Sequence, residues 1–93
     1  MRDKMDLNVV ARIRITPDSI DSDLNKIKDE LARISSDYGK LHSAEIKPIA
    51  FGLNSLEAAI LLNDSKGGIE EIEENLKSVE GVSQVDVIDV NRL

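Results

Sequence analysis

Two apolar stripes with one spacing constrain the fold more than any other feature of this chain. Leu24, Ile27, Leu31 and Ile34 recur at intervals of 3, 4 and 3 residues, and Ile69, Ile72, Leu76 and Val79 repeat those intervals. This is the period of a helix that buries one face. Asp21 or Ser22 can cap the first helix, which should stop between Ser35 and Gly39. On its outer side Asp29 and Arg33 stand at i and i+4 with the acid first. Glu70, Glu71, Glu73 and Glu74 crowd the first turns of the second helix, where its positive end favours carboxylates, and Gly81 can close it.

Segments of strand period flank both helices. Residues 7 to 16 alternate, with Leu7, Val9, Ala11, Ile13 and Ile15 in one phase and Asn8, Val10, Arg12, Arg14 and Thr16 in the other, which reads as a strand with one buried face. Residues 40 to 50 alternate more weakly through Leu41, Ala44, Ile46 and Ile49. Pro48 lies inside that run and has no N–H for a ladder, so this strand belongs at a sheet edge. Leu53 to Leu62 keeps Leu56, Ala58, Ile60 and Leu62 in phase, and Ala59 and Leu61 make it apolar on both sides, as a central strand requires. Asn63 to Gly68 is a loop, and Val82 to Val90 is the last strand. The order strand, helix, strand, strand, helix, strand is the split βαβ pattern of an α+β, ferredoxin-like sandwich. Right-handed crossovers then put both helices on one face of a four-stranded antiparallel sheet, with the first and third strands central and the second and fourth at the edges.

With 93 residues there is room for a single domain, residues 1–93, and one modest core. Residues 1–5 are expected to form a disordered N-terminal extension, with Met5 an alternative start. Apolar residues make up 41% of the chain, but the aromatics are only Tyr38 and Phe51, so the core must be aliphatic. Cysteine is absent, which removes disulfides and thiolate chemistry and fits a cytoplasmic location. Met1 to Asp6 lacks the apolar stretch of a signal peptide, and no apolar run approaches the roughly 20 residues that cross a bilayer, so no membrane partner is expected. A net charge of −6 and a pI near 4.7 disfavour binding to a phosphate backbone and suit a basic partner protein.

Catalysis has little to work with. The single His42 lies on the expected edge strand, where a plain exposed residue is the common case, and the chain is not expected to be an enzyme. The glutamates from Glu70 to Glu74 are spaced as a solvated helix face, and no calcium-binding loop accompanies them. Gly67-Gly68 opens a helix without the Lys-Ser/Thr ending of a phosphate-binding loop. No metal and no cofactor is expected. The open sheet face would carry Arg12 and Arg14 but no aromatic, so it lacks the stacking platform on which such sheets bind single-stranded RNA. The two arginines should instead be solvated and paired with acids on neighbouring strands.

Two residues stand out as tools for a partner. An isolated Phe in a small domain is more often core than not, yet Phe51 sits on a short connection tightened by Pro48 and Gly52, with little of its own domain to pack against. Exposed, it is a natural anchor. At the other end of the chain, strand character runs to Val90, so Asn91, Arg92 and Leu93 are nearly attached to the sheet. A guanidinium held there cannot deprotonate and is presented in a defined direction.

Over nearly its whole length the chain resembles the elongation factor 1-beta family, in its short archaeal form, and the C-terminal exchange domain of the eukaryotic relatives. The most specific matches are Lys47-Pro48-Ile49-Ala50-Phe51-Gly52-Leu53 and Val85-Asp86-Val87-Ile88-Asp89-Val90-Asn91-Arg92-Leu93, with weaker support from Asp21-Ser22-Asp23-Leu24 and Glu80-Gly81-Val82. The resemblance implies a guanine-nucleotide exchange factor that acts on GDP-bound elongation factor 1-alpha, with a ferredoxin-like fold and a monomeric free state. It implies that Phe51 enters a pocket on the second domain of that GTPase and that Arg92 reaches toward its Mg²⁺ and phosphate site. The chain departs from the family where Arg92 stands in place of the eukaryotic Lys and Ala50 in place of a frequent Gly. The competing expectation is a small-molecule-binding regulatory dimer of the same fold.

Overall fold

The computed structural model describes residues 7–63 and 67–93. The expected disorder of residues 1–5 and the centre of the loop after Leu62 lie outside them. The elements run β1 (Val9–Pro17), α1 (Leu24–Ser35), β2 (Gly39–Pro48), β3 (Asn54–Leu62), α2 (Ile69–Lys77) and β4 (Val82–Arg92), with one tight turn, Ala50–Gly52, between β2 and β3. The four strands form one antiparallel sheet in the order β2-β3-β1-β4. This is the ferredoxin-like sandwich, with β2 and β4 at the edges as Pro48 required.

One face of the sheet carries the core. Val9, Ala11, Ile13 and Ile15 of β1 and Leu56, Ala58, Ile60 and Leu62 of β3 are buried, in the phases expected from their alternation. From the other side come Leu24, Ile27, Leu31 and Ile34 of α1 and Ile72 and Leu76 of α2. Burying each of these large aliphatic side chains contributes roughly 1.5 to 3 kcal/mol. Ile69 and Val79, the ends of the second stripe, pack only partly against this core.

Local chemistry moves several boundaries. Asp23, rather than Asp21 or Ser22, caps α1, its carboxylate accepting from the N–H groups of Asn25 and Lys26 at 3.1 and 3.2 Å. The Ser22 hydroxyl is committed elsewhere, donating to Asp18 at 2.9 Å. Arg33 pairs with Glu30 at i,i+3 in place of Asp29. The second helix ends at Lys77, so Gly81 does not close it; with φ +94° it shapes the turn that leads into β4. Gly39 is required for another reason: a Cβ there would stand 1.9 Å from the Leu61 carbonyl oxygen across the β2–β3 ladder.

Both edge strands are bulged. The register of β2 on β3 shifts between Leu41 and Ser43, leaving His42 as the extra residue. That of β4 on β1 shifts opposite the Arg12–Ile13 step, leaving Ile88 as the extra one. Ser43 and Asp89 flank these bulges and lie in one row of the sheet through Ala59 and Arg12, so both free edges are interrupted at the same level. Among the described residues no helix is long and apolar enough to cross a membrane.

Candidate functional site

Phe51 is 96% exposed, the most exposed of the large apolar side chains among the described residues. Its backbone holds φ 62° and ψ 32°, and Phe51 is the one non-glycine residue with positive φ among those described. Gly52 follows at φ 78°, and the Leu53 N–H donates to the Ala50 carbonyl at 3.2 Å. Two central residues of positive φ closed by this bond make a type I′ turn, the hairpin connection whose twist matches that of the strands it joins. A second bond, from the Ile49 N–H to the Leu53 carbonyl at 2.8 Å, ties the turn to the ladder that begins at the Pro48–Asn54 pair. Asn or Asp usually fills the position of Phe51, because a left-handed L residue costs about 1 to 2 kcal/mol. The ring is therefore held out from the domain by a strained but well-bonded backbone.

Arg92 ends the outer strand β4 opposite Val9, and the Leu93 N–H donates to the Asn8 carbonyl at 3.0 Å. The strand runs two residues further than its apolar pattern suggested, so the Arg92 backbone is part of the sheet. Asn91 pairs with Val10 on the open face, and Leu93 is largely exposed. Phe51 and Arg92 do not meet. Arg92 is level with Leu62, since both face Val9, whereas the Phe51 turn begins beyond Asn54. Eight strand steps separate Leu62 from Asn54, about 26 Å at roughly 3.3 Å each. Pro48 and Gly52 thus group with Phe51 at one end of the molecule, and Asn91 and Leu93 with Arg92 at the other.

Arg12 and Arg14 lie on the open face with acids beside them, as expected. Arg12 pairs with Asp89 of β4 at 3.4 Å, and Arg14 with Glu57 of β3 at 3.3 Å. Lys47 reaches Glu57 from the other side at 3.4 Å. Partial desolvation opposes the charge of Glu57, but Lys47 and Arg14 outweigh it and hold this carboxyl below its usual range. His42, on the bulge of β2, is exposed. Among the described residues no group of three His, Asp or Glu side chains could hold a metal ion.

Residue pattern alone did not single out Ile46 and Ile49, which lie exposed on the β2 edge and at the start of the Phe51 turn. Their signal was available as apolar residues on a strand already assigned to an edge. The left-handed backbone of Phe51 was also legible, since a Gly in second place of a two-residue loop marks a type I′ turn.

Known proteins resemble this chain in sequence and in fold. Residues 10–93 match the family model described as EF-1 guanine nucleotide exchange domain. Elongation factor 1-beta of Methanothermobacter thermautotrophicus is 42% identical over 86 residues, covering 92% of this chain and 97% of that protein. Elongation factor 1-beta of Methanocella arvoryzae is 45% identical over 80 residues, covering 86% and 90%. The ACT domain from GTP pyrophosphokinase of Chlorobium tepidum superposes with a TM-score of 0.59 at 18% identity, over 87% of this chain and 99% of that one, a likeness of fold alone. With a type I′ turn bearing Phe51 at one end, a sheet-anchored Arg92 at the other and a family match that takes in both, the chain belongs to the EF-1 guanine nucleotide exchange domain family.

Proposed function

We propose that this chain is a guanine-nucleotide exchange factor that binds elongation factor 1-alpha in its GDP-bound form and promotes GDP release, so that GTP can bind in its place. The observation that carries this reading is Phe51, almost wholly exposed on a turn whose left-handed backbone strains to hold it there. A domain with only one Phe gains nothing for its own stability by displaying it so. Buried in a partner pocket, the ring contributes roughly 1.5 to 3 kcal/mol. By the family resemblance that pocket belongs to the second domain of the GTPase.

Arg92 acts at the other end. Its guanidinium approaches the Mg²⁺ and phosphate site and competes with the metal for the same carboxylate and phosphate oxygens, which loosens the hold on GDP. Because about 26 Å or more separates the two anchors, they engage two distinct regions of the GTPase, and the rigid sheet between them fixes the spacing. The chain itself forms and breaks no covalent bond. It works in the cytoplasm as a monomer, since the bulges in β2 and β4 obstruct strand pairing between copies.

Linkage gives a direct test. Whatever factor this chain weakens GDP binding by, GDP must weaken binding of the chain by the same factor. A thousandfold effect corresponds to roughly 4 kcal/mol of differential contact. Titration of the chain into elongation factor 1-alpha, nucleotide-free and with saturating Mg²⁺-GDP, should give a much lower affinity in the second case. Equal affinities would exclude the exchange mechanism.

A further inference from the structure

We propose that Glu57 is a positioning residue for Phe51: by bridging Arg14 and Lys47 it fixes the direction in which the β2–β3 hairpin carries the ring toward the GTPase. This inference rests on the exchange reading above and deepens it.

The sheet forks below the Phe51 turn. The last register pair between β1 and β3 is Ile15–Leu56. Beyond that row β1 stays with β4 alone, through Thr16–Gln84 and Pro17–Val82, while β2 and β3 go on together through Lys47–Ser55 and Pro48–Asn54. Phe51 therefore rides on a two-stranded ribbon. Such ribbons twist more strongly than larger sheets and are marginally stable on their own. The helix layer gives this one little support, since Ile46, the register partner of the buried Leu56, is 51% exposed. The Ser55 hydroxyl donates to the Lys47 carbonyl at 3.4 Å, but that bond lies within the ribbon and does not aim it. From Leu56 to Leu53 three strand steps make an arm of about 10 Å, so a swing of about 10° at the fork displaces the turn by roughly 2 Å.

Glu57 sits one residue from the fork. One of its carboxylate oxygens accepts from Nε and Nη2 of Arg14 at 3.4 and 3.3 Å, and the other lies 3.4 Å from Nζ of Lys47. Arg14 belongs to β1, and Lys47 stands on the ribbon beyond the last row that β1 and β3 share. A single side chain thus ties the two branches together across the fork. Glu45 is the direct register partner of Glu57, and like charges opposed across a ladder repel, so this row depends on the two cations. Only 16% of the Glu57 side chain is exposed, which leaves it little surface for a partner. It acts through the hairpin that it aims. Because Phe51 and Arg92 engage distinct regions of the GTPase at once, a hairpin that swings lowers the effective concentration of one contact after the other has formed.

The test is GDP release from elongation factor 1-alpha with the full chain. Glu57→Gln keeps the size of the side chain and removes its charge, and should raise the half-maximal concentration about three- to fivefold at an unchanged plateau. Lys47→Met should act in the same direction, and Lys47→Arg should stay close to wild type. In a Phe51→Ala background Glu57→Gln should add nothing further, since a residue that works only by aiming the ring has no effect once the ring is gone. In the free chain, residual dipolar couplings of the Phe51, Gly52 and Leu53 amides should be reduced by Glu57→Gln while those of Ile13 and Ala58 are kept. A Glu57→Gln curve that matches wild type overturns the proposal and leaves the exchange reading standing. An equal loss with and without the ring, or turn couplings that do not change, also overturns it. If wild type itself does not accelerate release, the exchange reading fails and takes this proposal with it.

Discussion

Replacing Phe51 by Asn should make the domain more stable and, at the same time, a weaker exchange factor. In the left-handed conformation at φ 62°, ψ 32° a non-glycine residue costs about 1 to 2 kcal/mol, and Asn tolerates that region better than any aromatic. Asn-Gly is also the favoured pair for a type I′ turn. Against this gain stands only the burial lost with the ring. Phe51 is 96% exposed, so a side chain of roughly 150 to 250 Å² hides about 10 Å² or less, which amounts to about 0.2 kcal/mol. The net effect should be a stabilisation of about 1 kcal/mol, or a rise of about 4 to 8 °C in Tm for a domain of this size. Urea unfolding of wild type and Phe51→Asn, read by circular dichroism, measures it. A variant less stable than wild type would refute the strain argument, and a more stable variant with undiminished exchange would refute the functional reason for the strain.

Further tests concern the scaffold. Gly39→Ala puts a methyl 1.9 Å from the Leu61 carbonyl oxygen, a backbone atom that cannot step aside, and should cost about 2 to 3 kcal/mol in denaturant unfolding. Leu31→Ala empties a fully buried site under α1 and should cost about 2 to 5 kcal/mol by the same measurement. Glu57 is held below its usual value of 4.5 by Lys47 and Arg14, so its folded form favours the charge. The stabilisation is complete above the ordinary carboxylate value and is lost as pH falls through the lower folded one. The Tm difference between wild type and Glu57→Gln should accordingly shrink between about pH 6 and about pH 3; a constant difference would contradict the ion-pair account.

Much of this was legible in the chain because burial leaves periodic traces. The alternation of Val9, Ala11, Ile13 and Ile15 and the matched stripes of the two helices follow from one buried sheet face, and Pro48 named the edge. Boundaries were less legible where several polar groups compete for one role. Asp21, Ser22 and Asp23 are all competent caps, and only the folded structure shows Ser22 bonded to Asp18 and Asp23 accepting from Asn25 and Lys26. Bulges at His42 and Ile88 leave no trace in a period of two, since each inserts one residue into an edge strand. The exposure of Phe51 and the place of Arg92 at a strand end could be read from local context alone, the first from its turn and the second from the strand before it. Their separation could not, because it depends on strand order and register.

The most direct test of the exchange account is the release of a fluorescent GDP analogue from elongation factor 1-alpha, chased with excess unlabelled nucleotide and followed against chain concentration. Wild type should accelerate release to a plateau; Phe51→Ala should demand a higher concentration to reach it, and Arg92→Ala should lower the plateau itself while remaining folded. A release rate that wild type leaves unchanged at every protein and salt concentration would contradict the account.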